Sequence, residues 1–199
     1  TSVANSTLLA NLSAIFVTLA AWLIFGEKPT RLFVAGLITA MAGVTMLVST
    51  SMAFSSTALL GDALGVVTAI FYAWYLFAAT GLRGRGVGTL RFMAITTTLT
   101  ALLLLPVALA TGEQMLPVSR AGWLTLAGVA VISQAGGQGL IAYALAHLPT
   151  SFSSVSLLVQ PVMACVFSWV LLGEPLVAIQ IAAGCVVLRG IYLSCNGSI

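Results

Sequence analysis

Ser133-Gln134-Ala135-Gly136-Gly137-Gln138-Gly139 is the most chemically loaded stretch of an otherwise apolar chain. It sets a hydroxyl, two carboxamides and three glycines in succession. Gln134 and Gln138 are four apart, so on a helix their side chains share a face. A carboxamide both donates and accepts hydrogen bonds, which suits reversible binding of a polar solute and needs no covalent step. Each glycine costs a helix about 1 kcal/mol relative to alanine and lets another helix, or a ligand, approach the backbone closely. Two readings follow. The face lines a hydrated cavity, or it is a small-residue packing seam whose amides bond between helices. Two glutamines in one seam favour the cavity, with Gln134, Gln138 and Ser133 as its lining.

Other polar groups stand at comparable depth. Tyr72 and Tyr75 are three apart and share a face while Trp74 lies off it; rings there either present themselves to an organic substrate or form an interfacial belt. Asn11 near the start of the chain, and Ser153 and Gln160 further on, occupy related positions in two similar segments. Gln160 precedes Pro161, which has no N–H and so frees a carbonyl that a cavity can use. A pair of interrupted helices in corresponding places is a sequence pointer to a binding site. Arg189 stands within an apolar run where the related segment has Ala42. It either snorkels to the interface or serves as counter-ion to a carboxylate or phosphate on a substrate.

The elements that position these groups follow from composition. Sixty per cent of the 199 residues are hydrophobic and 6% are charged, with a mean hydropathy of +1.15, whereas soluble domains have roughly a quarter of their residues charged. The solvent is therefore lipid. Seven runs, at about 3–25, 32–49, 59–81, 90–111, 121–147, 152–172 and 176–194, approach or exceed the roughly 20 residues that a helix needs to cross a bilayer. Short segments of alternating polarity, which a barrel requires, are absent. The predicted fold class is all-α, a polytopic membrane protein with seven transmembrane helices. The chain opens at Thr1 without a charged leader and reads as a piece of a longer protein.

Charge sets the orientation. With the first run ending on side A, that side carries Lys28, Arg31, Arg83, Arg85 and Arg91, and the opposite side only Arg120. Side A, which also receives the C-terminus, is cytoplasmic by the positive-inside rule. A basic rim accounts for the net charge of +3 without a nucleic-acid partner. An internal repeat runs across this arrangement. Trp22, Gly26, Glu27, Ala35 and Gly43 recur 147 residues later as Trp169, Gly173, Glu174, Ala182 and Gly190 with no gap between them. The two copies face opposite sides, as inverted halves with an odd number of helices would. Residues 1–50 then supply the last two helices of one five-helix repeat, and residues 59–195 a complete second repeat, with three helices expected before Thr1. The glycine at each corner suits a left-handed helix end, and Glu27, Glu174 and Asp62 read as helix-turn residues.

Several chemistries drop out. No acid stands at the midplane to carry a proton, since Glu27, Asp62, Glu113 and Glu174 all fall at helix ends or in loops. Cys165, Cys185 and Cys195 lack metal-ligand spacing, His147 has no second ligand nearby in sequence, and no nucleophile has a plausible base. No metal, cofactor or enzymatic activity is expected; the partners are a small-molecule substrate and the lipid bilayer.

The run Leu157 to Glu174 (LLVQPVMACVFSWVLLGE), its weaker first copy at Leu8 to Glu27, and Gly61 to Tyr75 (GDALGVVTAIFYAWY) resemble the EamA-type transporters of the drug/metabolite transporter superfamily. The resemblance implies ten helices in two inverted five-helix repeats. It further implies alternating access, an inner-membrane location, and export of a small organic metabolite such as an amino acid. It places the helix bearing Tyr72 and Tyr75 beside the pathway. The proline usual before the corner is present as Pro161, whereas the first copy has Ala14. A nucleotide-sugar or organophosphate exchanger is the alternative within the class, and a non-transporting assembly subunit the alternative outside it.

Overall fold

The computed structural model describes residues 3–26, 28–49, 59–112, 116–173 and 175–197. These are helical throughout, with no strand among them: α1 (Val3–Asn11), α2 (Ser13–Phe25), α3 (Arg31–Ser49), α4 (Leu59–Gly84), α5 (Thr89–Ala110), α6 (Arg120–Gly128), a π-helix (Val129–Gln138), α7 (Gly139–Ala144), α8 (Thr150–Ser156), α9 (Val159–Leu172) and α10 (Ala178–Gly197). They make seven stretches long and apolar enough to cross a membrane, from Thr7–Ile24 to Ala178–Gly197. All seven runs expected from composition are present, and the chain is an all-α, multi-pass membrane protein.

Three runs are not single helices: the fifth divides into α6, the π-helix and α7, and the first and sixth each break at a turn. Pro161 cannot donate to the carbonyl of Leu157, and the N–H of Gln160 takes that acceptor instead at 3.0 Å. The tightened turn separates α8 from α9. The first copy breaks within two residues of the corresponding place although Ala14 keeps its N–H. There the Asn11 side chain donates to the carbonyl of Thr7 at 2.8 Å, a local bond that competes with the backbone ladder. Leu12 then bonds back to Leu9 over three residues at 3.1 Å. Different residues thus produce matching interruptions.

The corners behave as their glycines require. Gly26 and Gly173 each take φ +70° and close their helices by donating to the carbonyls of Trp22 and Trp169, at 3.1 and 3.2 Å. Glu27, Glu174 and Glu113 lie outside the described residues; Asp62 lies in the first turn of α4.

Compactness divides the chain into two units. One comprises residues 1–77 and 149–199. Its core is Ala14, Phe33, Leu37, Ala40, Val44, Val48, Val155, Leu158 and Val187, from α2, α3, α8 and α10 and the turn before α9. The dominant packing joins α3 to α10. Close approach is possible because small residues line both helices: a Cβ built on Gly190 would stand 2.7 Å from the Gly36 carbonyl oxygen, and one on Gly43 would stand 3.0 Å from that of Ala183. Phe33 meets Gly197 at the far end, where Thr30 donates to the Gly197 carbonyl at 2.6 Å. Rising numbers in α3 thus meet falling numbers in α10, so the two helices run antiparallel.

The second unit comprises residues 78–148: the end of α4, then α5, α6, the π-helix and α7. Few of its side chains are buried; Ala79, Phe92, Ala142 and Leu145 are. Arg83 ties it together, donating from Nε to the Ala142 carbonyl at 3.1 Å and from Nη1 to that of Val87. Replacing Arg83 by alanine is expected to lower stability in detergent by about 2 kcal/mol, since hydrogen bonds from a charged donor contribute roughly 1.5–3 kcal/mol. Lysine should restore less than half of it, because an ammonium on a flexible stem lacks the planar fork. Equal melting of Arg83→Ala and the parent would show that these bonds contribute nothing.

Candidate functional site

The polar residues singled out by type fall into both units. Ser133, Gln134 and Gln138 belong to residues 78–148; Asn11, Tyr72, Tyr75, Ser153, Gln160 and Arg189 belong to the other unit.

Ser133, Gln134 and Gln138 lie in the π-helix, whose ten residues run Val129–Gln138. In a π-helix each N–H bonds five residues back, and the conformation is rare enough to mark functional sites where it occurs. The expectation of an unbroken α-helix over 121–147 is thereby amended. The glycines Gly136 and Gly137 weaken any helical form by about 1 kcal/mol each and so did not announce which one would form. Gln134 and Gln138 still share a face, because four residues fall just short of a π turn and just beyond an α turn. Ser133 and Gln134 are exposed and Gln138 is half-buried.

In the other unit the tyrosines form a pair. Tyr72 and Tyr75 stack with ring centroids 5.8 Å apart and planes inclined by 19°, and both are half-buried. They form one stacked aromatic pair on α4. Asn11 and Gln160 flank the two helix interruptions, half-buried and exposed respectively. Arg189 is exposed, outside the stripe of Ala183, Val187, Gly190 and Ser194 that α10 buries.

Ser153 has the most unusual environment. It is 7% exposed, and its hydroxyl has no hydrogen-bond partner among the described residues, whereas Ser154 and Ser156 bond back to carbonyls of their own helix at 2.7 and 2.9 Å. A buried hydroxyl without a partner costs about 1–3 kcal/mol. Ser153→Ala is therefore expected to leave stability unchanged or raise it by about 1 kcal/mol. If the hydroxyl serves a solute, transport falls in the same variant while the melting temperature holds.

Two grooves in this unit are apolar and contain none of these residues. One, of about 380 Å³, is lined by Trp22, Pro29, Leu37 and Met41 among others. The second, of about 330 Å³, is lined by Phe16, Leu23, Ile70, Trp74 and Phe77 among others. Both suit lipid or helix packing better than a polar solute. No group of three or more metal-ligating side chains occurs among the described residues.

The fold and these polar groups fit a solute carrier, and the family comparison decides the point. The EamA-like transporter family model matches residues 59–195. The chain belongs to the EamA-like transporter family. Its members are transporters of small metabolites, and this EamA protein is accordingly a multi-pass membrane protein whose partners are a small-molecule substrate and the bilayer. A solved crystal structure superposes on it with a TM-score of 0.78 at 17% identity, over 98% of this chain and 67% of that one, a likeness of fold alone. No curated protein matches the chain.

Proposed function

We propose that this EamA protein exports a small organic metabolite, an amino acid or a similar compound, by alternating access between two inverted halves in the inner membrane, with its C-terminus cytoplasmic. Residues 1–50 are the last two helices of the first half and residues 59–195 the whole of the second. The observation that carries the reading is the coincidence of Gln134, Gln138 and Ser133 with a π-helical break in a membrane-depth segment, since polar groups at that depth are costly unless a partner or a cavity serves them. The α3–α10 pairing supports the inversion. The repeat offset of 147 carries Gly36 to Ala183 and Gly43 to Gly190, and the contacts Gly36–Gly190 and Gly43–Ala183 interchange when the copies are exchanged. Such reciprocity is what two related antiparallel helices produce.

Gln134, Gln138 and Ser133 are the proposed substrate contacts in one unit. Asn11, Gln160, Ser153 and the Tyr72–Tyr75 pair are those in the other. Arg189 supports a second reading: its exposed charge within α10 suits an anionic substrate, as in an organophosphate or nucleotide-sugar exchanger. Flux of labelled amino acids through proteoliposomes, set beside flux of a labelled sugar phosphate in parent and Arg189→Gln, separates the two. Amino-acid flux unaffected by Arg189→Gln supports the first; sugar-phosphate flux lost with the charge supports the second. A protein that moves neither leaves an assembly role.

A further inference from the structure

The π-helix is flanked by two pieces of helix that are held very differently. On its C-terminal side, α7 is anchored: Ala142 is buried, its carbonyl accepts the Arg83 Nε at 3.1 Å, and Leu145 just beyond is 1% exposed. On its N-terminal side, α6 buries none of its residues. Its last turn continues into the π-helix without a cap, as the N–H of Val129 points at the carbonyls of both Thr125 and Leu126. At the other junction the N–H of Gly139 bonds the Gly136 carbonyl over three residues. The hydrogen-bond register therefore changes within four residues that include two adjacent glycines.

We propose that Val129–Gln138 is a two-state switch between π- and α-helical registers, and that the switch turns Gln134 about the helix axis while Gln138 stays with the anchored α7. The geometry follows from the two helix types. A π turn takes in about one residue more than the 3.6 of an α turn. Over the five residues from Gly139 back to Gln134 the difference amounts to roughly a quarter turn, whereas over the single residue to Gln138 it is small. Over all ten residues α6 rotates by roughly half a turn, and the segment lengthens by about 3 Å from its π-helical length. Among the described residues α6 has no buried side chain to withdraw. Gly136 and Gly137 carry no side chain that must repack when the register changes. That the rotation presents an amide alternately to a solute rests on the carrier reading above; the switch itself does not.

Alanine narrows the backbone freedom of this segment without a steric penalty, since a Cβ at Gly136 or Gly137 would lie at ordinary contact distance, 3.4 and 3.7 Å from the carbonyls of Val131 and Ile132. The test uses spin labels at Leu124 in α6 and Leu140 in α7, both exposed, with Cys165, Cys185 and Cys195 replaced, in lipid vesicles. Pulsed-EPR distances are compared in the parent, in Gly137→Ala and in the Gly136→Ala, Gly137→Ala pair. The parent should show two distance populations, the α-register one longer because the axial extension of about 3 Å adds to the half-turn of α6, and each alanine should change their ratio. Should the double variant lose its fold, Gly137→Ala alone carries the test. Identical distance distributions in the parent and whichever alanine variant folds overturn the switch. A changed ratio in a protein that moves no solute keeps the switch and overturns the carrier reading instead.

Discussion

Gly190→Ala should destabilise this protein more than any other single methyl addition along α10. The new Cβ would stand 2.7 Å from both the Cα of Ala40 and the carbonyl oxygen of Gly36. Those are backbone atoms of a neighbouring helix, so no side chain can rotate away. Accommodating them requires α3 and α10 to separate, which loosens the contacts of Ala40, Val44 and Val187 in the same core. Overpacking of a tight site costs about 1–3 kcal/mol and more where backbone must move; for Gly190→Ala about 3 kcal/mol is expected, and for Gly190→Val loss of the folded protein. Gly81→Ala is the control. Gly81 lies within α4 with nothing inside 4 Å of a built Cβ, so alanine there should be neutral or add up to about 1 kcal/mol. Unfolding in mild detergent, followed by denaturant titration, reads both. Equal stabilities of Gly190→Ala and Gly81→Ala would show that the two helices are not in such close contact.

Transport should respond most to the carboxamides. Gln138→Ala removes one donor pair and one acceptor from the π-helix, and loss of a hydrogen bond to a bound polar solute is worth about 1 kcal/mol, or more where the solute group is charged. Gln134→Ala, Gln138→Ala together should therefore lower flux at least tenfold with the melting temperature unchanged, because Gln134 is exposed and Gln138 half-buried. Gln138→Glu, which keeps the shape and one acceptor but adds charge, should also fail. Undiminished flux in the double variant removes the π-helix from the pathway and leaves the residues at the helix interruptions as the remaining site.

Much of this was legible in residue types. The seven apolar runs announce the helices, because in hydrocarbon every backbone group must find its partner within the segment. The corners at Gly26 and Gly173 were legible too, for a glycine closing a helix before a proline-bearing turn leaves little choice of conformation. Two features were not. The interruption at Leu12 has no proline to announce it and arises from an Asn11 side chain competing for a backbone acceptor. Arg83 looked like one more charge of a basic rim, and only the positions of Ala142 and Val87 show it as a tie between chain segments.

The amino-acid sequence by itself determined that this chain lives in lipid, that it is helical, that one motif occurs twice, and which polar residues fall within its apolar runs. Those are local properties of hydrophobicity, spacing and turn chemistry. Tertiary structure decided which small residues meet, so that Gly36 and Gly43 of α3 close on Gly190 and Ala183 of α10. It also decided that the glutamine segment winds as a π-helix. An α-helical pattern shows which residues share a face, but the approach of another helix depends on neighbours far away in the chain, and apolar spacing does not fix the hydrogen-bond register within a helix.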